Sequence, residues 1–235
     1  VSIKGYPKHP LTQGTVCVKG HTYAMHLYNA DRIMHPMKRV GKKGEGKWEK
    51  ISWDQALKEI AAKLTEIKEK FGGEALTEFV YSGNEGHISK TIAPGNFFEK
   101  YGATRLVRNH CDWPRYAGTP SVIGTDFSKD ALEIDESDMY ISWGSNEAYT
   151  AVHWIRFAHR VKKRGGKIIV INTIRIPLAN QADMFIQLKP SSDPAFCLAV
   201  CKFLIEEDLY DHEFVEKYTT GVEDLVHECS LYTYG

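Results

Sequence analysis

Two cysteines in this 235-residue sequence stand where a thiolate could do chemistry. Cys17 lies in "HPLTQGTVCVKGH" (residues 9–21), a polar loop punctuated by Gly14 and Gly20, with Lys19 two positions on. The next cysteine is Cys111, so Cys17 has no partner nearby in sequence. Cys111 itself sits in "RNHCDWPRYAG", among Arg108, His110, Asp112 and Arg115. Cationic neighbours lower a thiol's pKa, and a thiolate is both a ligand for soft metals and a nucleophile. An inert loop thiol fits the same residues. Cys197 and Cys201, four apart in an apolar run, read as core packing, and Cys229 has no recognisable context. Five cysteines are an odd number for a disulfide framework, which favours reduced thiols or metal ligands.

Polar turns form a second group of candidates. "WGSNEAY" (143–149) offers Gly144, Ser145 and Asn146 between an apolar run and a helical pattern. The C-terminal end of a strand, just before a helix, is where open α/β sheets bind ligands, and free N–H groups at a helix start can hold phosphate. Many such turns bind nothing. "INTIR" (171–175) carries Asn172 and Thr173, able to bond a sugar or base, or to form a plain polar turn. Asp193 before Pro194 is explained by helix capping, and a carboxylate there could equally accept two N–H bonds from a guanine edge.

The elements that must carry these residues are legible in the pattern. "SWDQALKEIAAKLTEIKEKFGG" (52–73) predicts a helix. Ser52 and Gln55 suit a capping box, Trp53, Ala56, Leu57, Ile60, Leu64, Ile67 and Phe71 recur at helical spacing, and Gly72-Gly73 stop it. "LTEFVYSG" (76–83) and "TRLVR" (104–108) look like strands, with a Pro/Gly turn after Cys111. From 138 the reading alternates: strand "DMYISW", turn "GSNEAYT", helix "AVHWIRFAHRVKKR", strand "KIIVIN", strand "DMFIQL", then a helix from "PSSDPAF" with Asp193 as its N-cap. The β-branched run and the alternation predict a parallel α/β sheet. Residues 1–50 read as irregular loops.

Composition narrows the classes. Hydrophobic residues are 43% and charged residues 26%, with formal net charge zero. Bulk charge therefore does not direct the chain to nucleic acid or to a membrane surface. The longest apolar stretch, "AFCLAVCKFLI", has eleven residues and includes Lys202, too short to span a bilayer. The first residues lack an apolar signal core. The sequence also lacks an initiator Met and reads as a piece of a longer protein, so compartment stays open.

Taken together and in order, these segments resemble the molybdenum or tungsten oxidoreductases that carry bis-(molybdopterin guanine dinucleotide), the dimethyl sulfoxide reductase family. "HPLTQGTVCVKG" resembles the segment bringing the fourth cysteine to a [4Fe–4S] cluster. "DRIMHPMKRVG" with "KWEKISWDQALKEIA" is similar to the family's stretch after that cysteine. "CDWPRYAG" resembles the stretch around the metal-binding cysteine, the long unit from "DMYISW" to "KIIVIN" resembles the dinucleotide-binding unit, and "ADMFIQLKPSSDPAF" resembles the guanine-recognition turn.

The resemblance implies an α/β fold: a Rossmann-like parallel-sheet dinucleotide unit (111–235), preceded by an iron–sulfur remnant (1–50) and an α/β segment of a discontinuous domain (51–110). It implies Cys17 as a cluster ligand, Lys19 between cluster and pterin, and Cys111 on Mo or W, with Asp112 or His110 as a nearby acid or base. Gly144, Ser145 and Asn146 would meet phosphates, and Asn172 and Asp193 the nucleoside end. Three further cluster cysteines are expected upstream, and the other pterin's half of the fold downstream, so the isolated chain is expected to be inactive. Implied partners are a small-molecule substrate and an iron–sulfur electron-transfer subunit, with neither nucleic acid nor a membrane span.

Some residues depart from the family pattern. Asn172-Thr173-Ile174-Arg175 replaces the usual Asp-Pro-Arg, Ser191-Ser192 replace Gly-Thr, and Asp112 stands where formate dehydrogenases have His. Two rival functions remain: a non-redox tungsten hydratase of the same family, with Asp112 beside the ligand, and a metal-free nucleotide-binding α/β module.

Overall fold

The computed structural model describes residues 1–80, 86–106, 112–128 and 130–233. Contacts divide the chain into two compact units, one of Thr22–Ser128 with Val1, the other of Ser2–His21 with Lys129–Gly235. Helix α1 (Val18–Leu27) comes first. The expectation of irregular loops over 1–50 missed both α1 and a two-stranded antiparallel ribbon, β1 (Met37–Arg39) with β2 (Trp48–Lys50). Neither shows a usable period: α1 is weakly amphipathic and buries no residue, and the strands are three residues long.

In the Thr22–Ser128 unit, α2 (Trp53–Phe71) occupies the predicted span. Ser52 caps it, its hydroxyl accepting the Gln55 N–H at 3.1 Å, and Gly72 ends it at φ 83°. The other half of the capping box is missing, because the Gln55 amide bonds Glu59 instead. After a π-helical turn, α3 (Ala93–Tyr101) returns to α2, where Tyr101 Oη donates to the Leu64 carbonyl at 2.6 Å. Of the strands expected at 76–83 and 104–108, residues 81–83 and 107–108 lie outside the described residues, and the rest pair at one bridge, Thr77 to Thr104. The Pro/Gly turn expected after Cys111 is instead helix α4 (Asp112–Ile123), which tolerates Pro114 in its first turn.

The other unit holds a three-stranded parallel sheet in the order β3 (Met139–Trp143), β4 (Lys167–Asn172), β5 (Met184–Gln187). All three strands fall where the alternation put them. Between β3 and β4 lie α5 (Glu147–Thr150) and α6 (Ile155–Lys163). The single helix expected over 151–164 therefore starts later, and its turn is itself helical. A 3-10 segment, Pro177–Asn180, joins β4 to β5. The core forms on one sheet face, from Ala158, Ile168, Val170, Ile176, Leu178 and Ala179. Phe157 and Val161 on α6 are also fully buried. Burying a side chain of this size stabilises by roughly 1.5–3 kcal/mol, which is why α6 and β4 anchor the unit.

Helix α7 (Asp193–Glu206) starts one residue earlier than capping by Asp193 requires: Ser192 is its N-cap and makes no side-chain cap bond. α8 (His212–Tyr218) and α9 (Val222–Ser230) follow. Of the two cysteines expected in the core, Cys201 is half-buried and Cys197 is exposed, while Cys229, for which the sequence offered no context, is buried. A four-residue spacing puts Cys197 and Cys201 near one another on α7, which packs against α9, the helix that carries the buried Cys229. No helix among the described residues is long and apolar enough to cross a membrane.

Candidate functional site

The parallel sheet gathers one group of candidates at the C-terminal edge of its strands. Past the end of β3, the Gly144 N–H continues the ladder to the Ile171 carbonyl at 2.9 Å. Gly144 takes φ 62°, the left-handed region that glycine enters most cheaply, and the space where a Cβ would project is open. The next carbonyl, of Ser145, accepts the Asn172 amide at 2.9 Å, which ties the ends of β3 and β4 together. Asn146 starts α5 without capping it, and its side-chain oxygen is buried with no hydrogen-bond partner.

Asp193 reaches the same edge by a route that spacing does not show. Its Oδ1 accepts the indole N–H of Trp143, the last residue of β3, at 2.8 Å. Trp143 also meets Phe196 edge-on, with ring centroids 5.6 Å apart. The turn before α7 places Ser191 at φ 66° and bonds the Ser192 hydroxyl to the Lys189 carbonyl. Asp193 is thus oriented by an aromatic donor rather than used as a cap. A carboxylate offers about four lone-pair positions, so further N–H donors can be accepted.

Below this edge is a buried polar pair that the sequence does not advertise. Glu147 is 2% exposed, and Tyr140 Oη donates to its Oε1 at 3.2 Å. Burial first, and then the nearby Glu147, push the Tyr140 phenol well above the ordinary tyrosine range. Glu147 Oε2 and the Ser142 hydroxyl are buried without partners. Strand alternation gives a weak signal for Tyr140 and Ser142, since both fall on the covered face of β3. Nothing local marks Glu147.

Cys17 belongs to the same unit of the chain and is a free thiol. Its carbonyl accepts the His21 N–H at 3.1 Å, so it sits at the N-cap of α1. The Gly20 N–H at the thiol is the main cause that holds Cys17 below the ordinary thiol range. The Lys19 N–H and charge add to this, and partial burial opposes it. Preceding Cys17, the turn at residues 11–15 is gripped by Arg156 from α6, 141 to 145 positions away, through the carbonyls of Leu11 and Thr12 and the Thr15 hydroxyl. A contact between residues so distant in the chain has no local signature. Cys111 and His110 lie outside the described residues, and Asp112 is the first residue of α4.

These two sets of residues fall inside recognisable family matches. Residues 1–29 match the Molybdopterin oxidoreductase Fe4S4 domain, and residues 32–227 match Molybdopterin oxidoreductase. The "Probable oxidoreductase YoaE" of Bacillus subtilis (strain 168) is 31% identical over 232 residues, covering 99% of this chain and 34% of that protein. The thiosulfate reductase molybdopterin-containing subunit PhsA of Salmonella typhimurium is 30% identical over 230 residues, 96% of this chain and 29% of the relative. Among solved structures, an acetylene hydratase from Pelobacter acetylenicus superposes with a TM-score of 0.62 at 29% identity, over 95% of this chain and 31% of that one. The chain therefore spans about a third of the length of the relatives it matches. With almost every residue inside the two matched regions, this chain belongs to the molybdopterin oxidoreductase family, whose members combine a molybdopterin-held Mo or W with a [4Fe–4S] cluster.

Proposed function

We propose that this chain is part of the catalytic subunit of a molybdenum or tungsten oxidoreductase, and that the edge formed by β3, β4 and β5 holds the guanine dinucleotide end of a bis-molybdopterin guanine dinucleotide cofactor in a Rossmann-like unit. The observation that carries this reading is the convergence of Gly144, Ser145, Asn172 and Asp193, beside a buried, unpartnered Asn146 oxygen. The residues fit such a group. The left-handed turn at Gly144 leaves open space over its Cα, the buried Asn146 oxygen can accept a hydroxyl or N–H from a ligand's sugar or base, and the Asn146 amide N–H groups are the part a phosphate would bond. In this reading Gly144, Ser145 and Asn146 meet phosphates, while Asn172 and Asp193 meet the nucleoside.

Cys17 fits a cluster ligand because its surroundings favour the thiolate, the form that binds iron. One thiolate is one of the four ligands a [4Fe–4S] cluster takes. Lys19 then places its charge between cluster and pterin. Cys111 serves as the protein thiolate on the metal, with Asp112 or His110 handling a proton beside it. When bound, the pterin-held metal supplies two-electron chemistry at a small substrate, and the cluster passes electrons singly. The division into 1–50, 51–110 and 111–235 belongs to the same proposal, as does delivery of electrons to an iron–sulfur partner subunit. PhsA, a relative named as a subunit, supports the latter.

In the full-length protein, Cys111→Ala should abolish catalysis and leave the cluster spectrum in place. Cys17→Ala should remove the cluster signal and slow electron exit. Wild-type turnover in Cys111→Ala would return Cys111 to an inert loop thiol. The likeness to an acetylene hydratase structure favours a second reading, non-redox hydration. Turnover that needs an artificial electron donor or acceptor supports the redox enzyme, and turnover without either supports the hydratase.

A further inference from the structure

We propose that Arg156 is a positioning residue for Cys17, locking the cluster-bearing segment onto the dinucleotide-binding unit. The proposal rests on the reading of Cys17 as a cluster ligand. Arg156 lies in the first turn of α6 and is partly buried. One terminal nitrogen, Nη1, donates to the Thr12 carbonyl and, at 3.0 Å, to the Thr15 hydroxyl. The other, Nη2, donates to the Leu11 carbonyl at 2.8 Å. A rigid guanidinium fork thus fixes three acceptors at once, a geometry a lysine ammonium cannot reproduce.

The segment it grips is one that needs holding. Gln13 takes φ 45° and Gly14 φ 83°, two successive left-handed residues, the first of them unfavourable for a side chain with a Cβ. On its other side the turn touches the chain start: a Cβ on Gly5 would come within 2.3 Å of the Gly14 carbonyl oxygen. The turn also has its own bonds, Gln13 N–H to the His9 carbonyl at 2.9 Å and Thr15 N–H to the Thr12 carbonyl at 2.8 Å. Two residues after Thr15 comes Cys17, whose carbonyl accepts the His21 N–H at 3.1 Å and so opens α1. Arg156 therefore fixes where that helix begins relative to the edge of β3 and β4. The two family matches meet in this contact: Leu11, Thr12 and Thr15 belong to the Fe4S4 region, Arg156 to the molybdopterin region.

The test uses the full-length holoprotein with Arg156→Ala, Arg156→Lys and Cys17→Ala. Three quantities are read: amide hydrogen exchange over residues 9–21, iron content with the electron paramagnetic resonance signal of the reduced cluster, and pterin content after oxidative release. Charge-assisted bonds of this kind support roughly tenfold or greater protection. Arg156→Ala should speed exchange at Thr12, Gln13 and Thr15 by about that factor, and should diminish or shift the cluster signal while pterin content stays at the wild-type level. Arg156→Lys should fall between wild type and Arg156→Ala in both exchange and cluster signal. Unchanged exchange and an unchanged signal in Arg156→Ala would overturn the proposal. If Arg156→Ala also loses pterin, Arg156→Lys decides: intermediate protection with full pterin supports positioning, and wild-type exchange overturns it. Cys17→Ala separates the two claims. If it keeps the cluster, the ligand reading falls and this proposal with it; if it loses the cluster while Arg156→Ala changes nothing, only the positioning role is wrong.

Discussion

Replacing Tyr140 by Phe should destabilise the β3–β5 unit by about 1.5–2 kcal/mol. The hydroxyl it removes is the donor to Glu147 Oε1, and Glu147 is 2% exposed with its other oxygen already unpartnered. Leaving a buried acceptor unsatisfied costs roughly 1–3 kcal/mol. The 3.2 Å separation is longer than the best bonds to charged groups, which places the figure in the lower half of that range. Glu147→Leu removes the acceptor and keeps a similar volume, so Tyr140→Phe in that background should cost within ~0.5 kcal/mol of zero. The coupling energy in the double-mutant cycle should then be about 1.5 kcal/mol. Urea unfolding followed by tryptophan fluorescence measures it, with Trp143 on the same strand as a reporter. The pH dependence is a second check. Burial and Glu147 raise the Tyr140 pKa, so the neutral phenol is the form the fold prefers. Its contribution is complete below the unfolded tyrosine value near ~10 and is lost as pH rises above it. Tyr140→Phe should lack that alkaline loss. A coupling energy near zero, or an alkaline profile the substitution leaves unaltered, would refute the assignment of Tyr140 and Glu147 as a bonded buried pair.

Three other outcomes are expected from the geometry. Phe157→Ala or Leu178→Ala, at fully buried positions, should cost about 3–4 kcal/mol by the lost transfer energy and the cavity left behind, measured by urea midpoint. Ser52→Ala should cost about 1 kcal/mol and fray the start of α2, because the Gln55 N–H loses its acceptor; amide exchange at Gln55 reports it. Asp183 is held below the usual carboxylate range, first by the Ile168 N–H at 2.9 Å and then by Lys162 and Lys167. A depressed folded pKa stabilises fully above the unfolded value near ~3.9 and is lost as pH falls through the folded value. The stability gap between wild type and Asp183→Asn should accordingly be constant near neutrality and close on acidification, as pH-dependent urea midpoints would show.

Local pattern was sufficient for the elements whose own residues specify them. Helix α2 announces itself through Ser52, a 3.6-residue apolar period and Gly72, and β4 through its β-branched run, of which Ile168, Val170 and Ile171 are buried. The ordered set of segments was also enough for the family, because each short motif keeps its chemistry wherever the fold puts it. Gly144, Asn172 and Asp193 could be nominated from strand ends alone, since parallel strands deliver their C-terminal turns to one edge. How they join there was not in the pattern: the Asn172 amide on the Ser145 carbonyl and the Trp143 indole on Asp193 link residues 27 and 50 positions apart. Asp193 looked like a cap because Asp-Pro is a good helix start, yet Ser191 in the left-handed region shifts that start and leaves the carboxylate to the indole. Of the strands expected at 76–83 and 104–108, the described parts pair at Thr77 and Thr104, a contact that joins segments 27 residues apart and so has no local signature. Cys17 was visible as an isolated thiol; that it caps α1, and that Arg156 from α6 holds the turn before it, depends on a contact across more than 140 residues. Sequence determines which groups are available within a turn or a helical period, while burial and pairing between distant segments decide which of those groups meet.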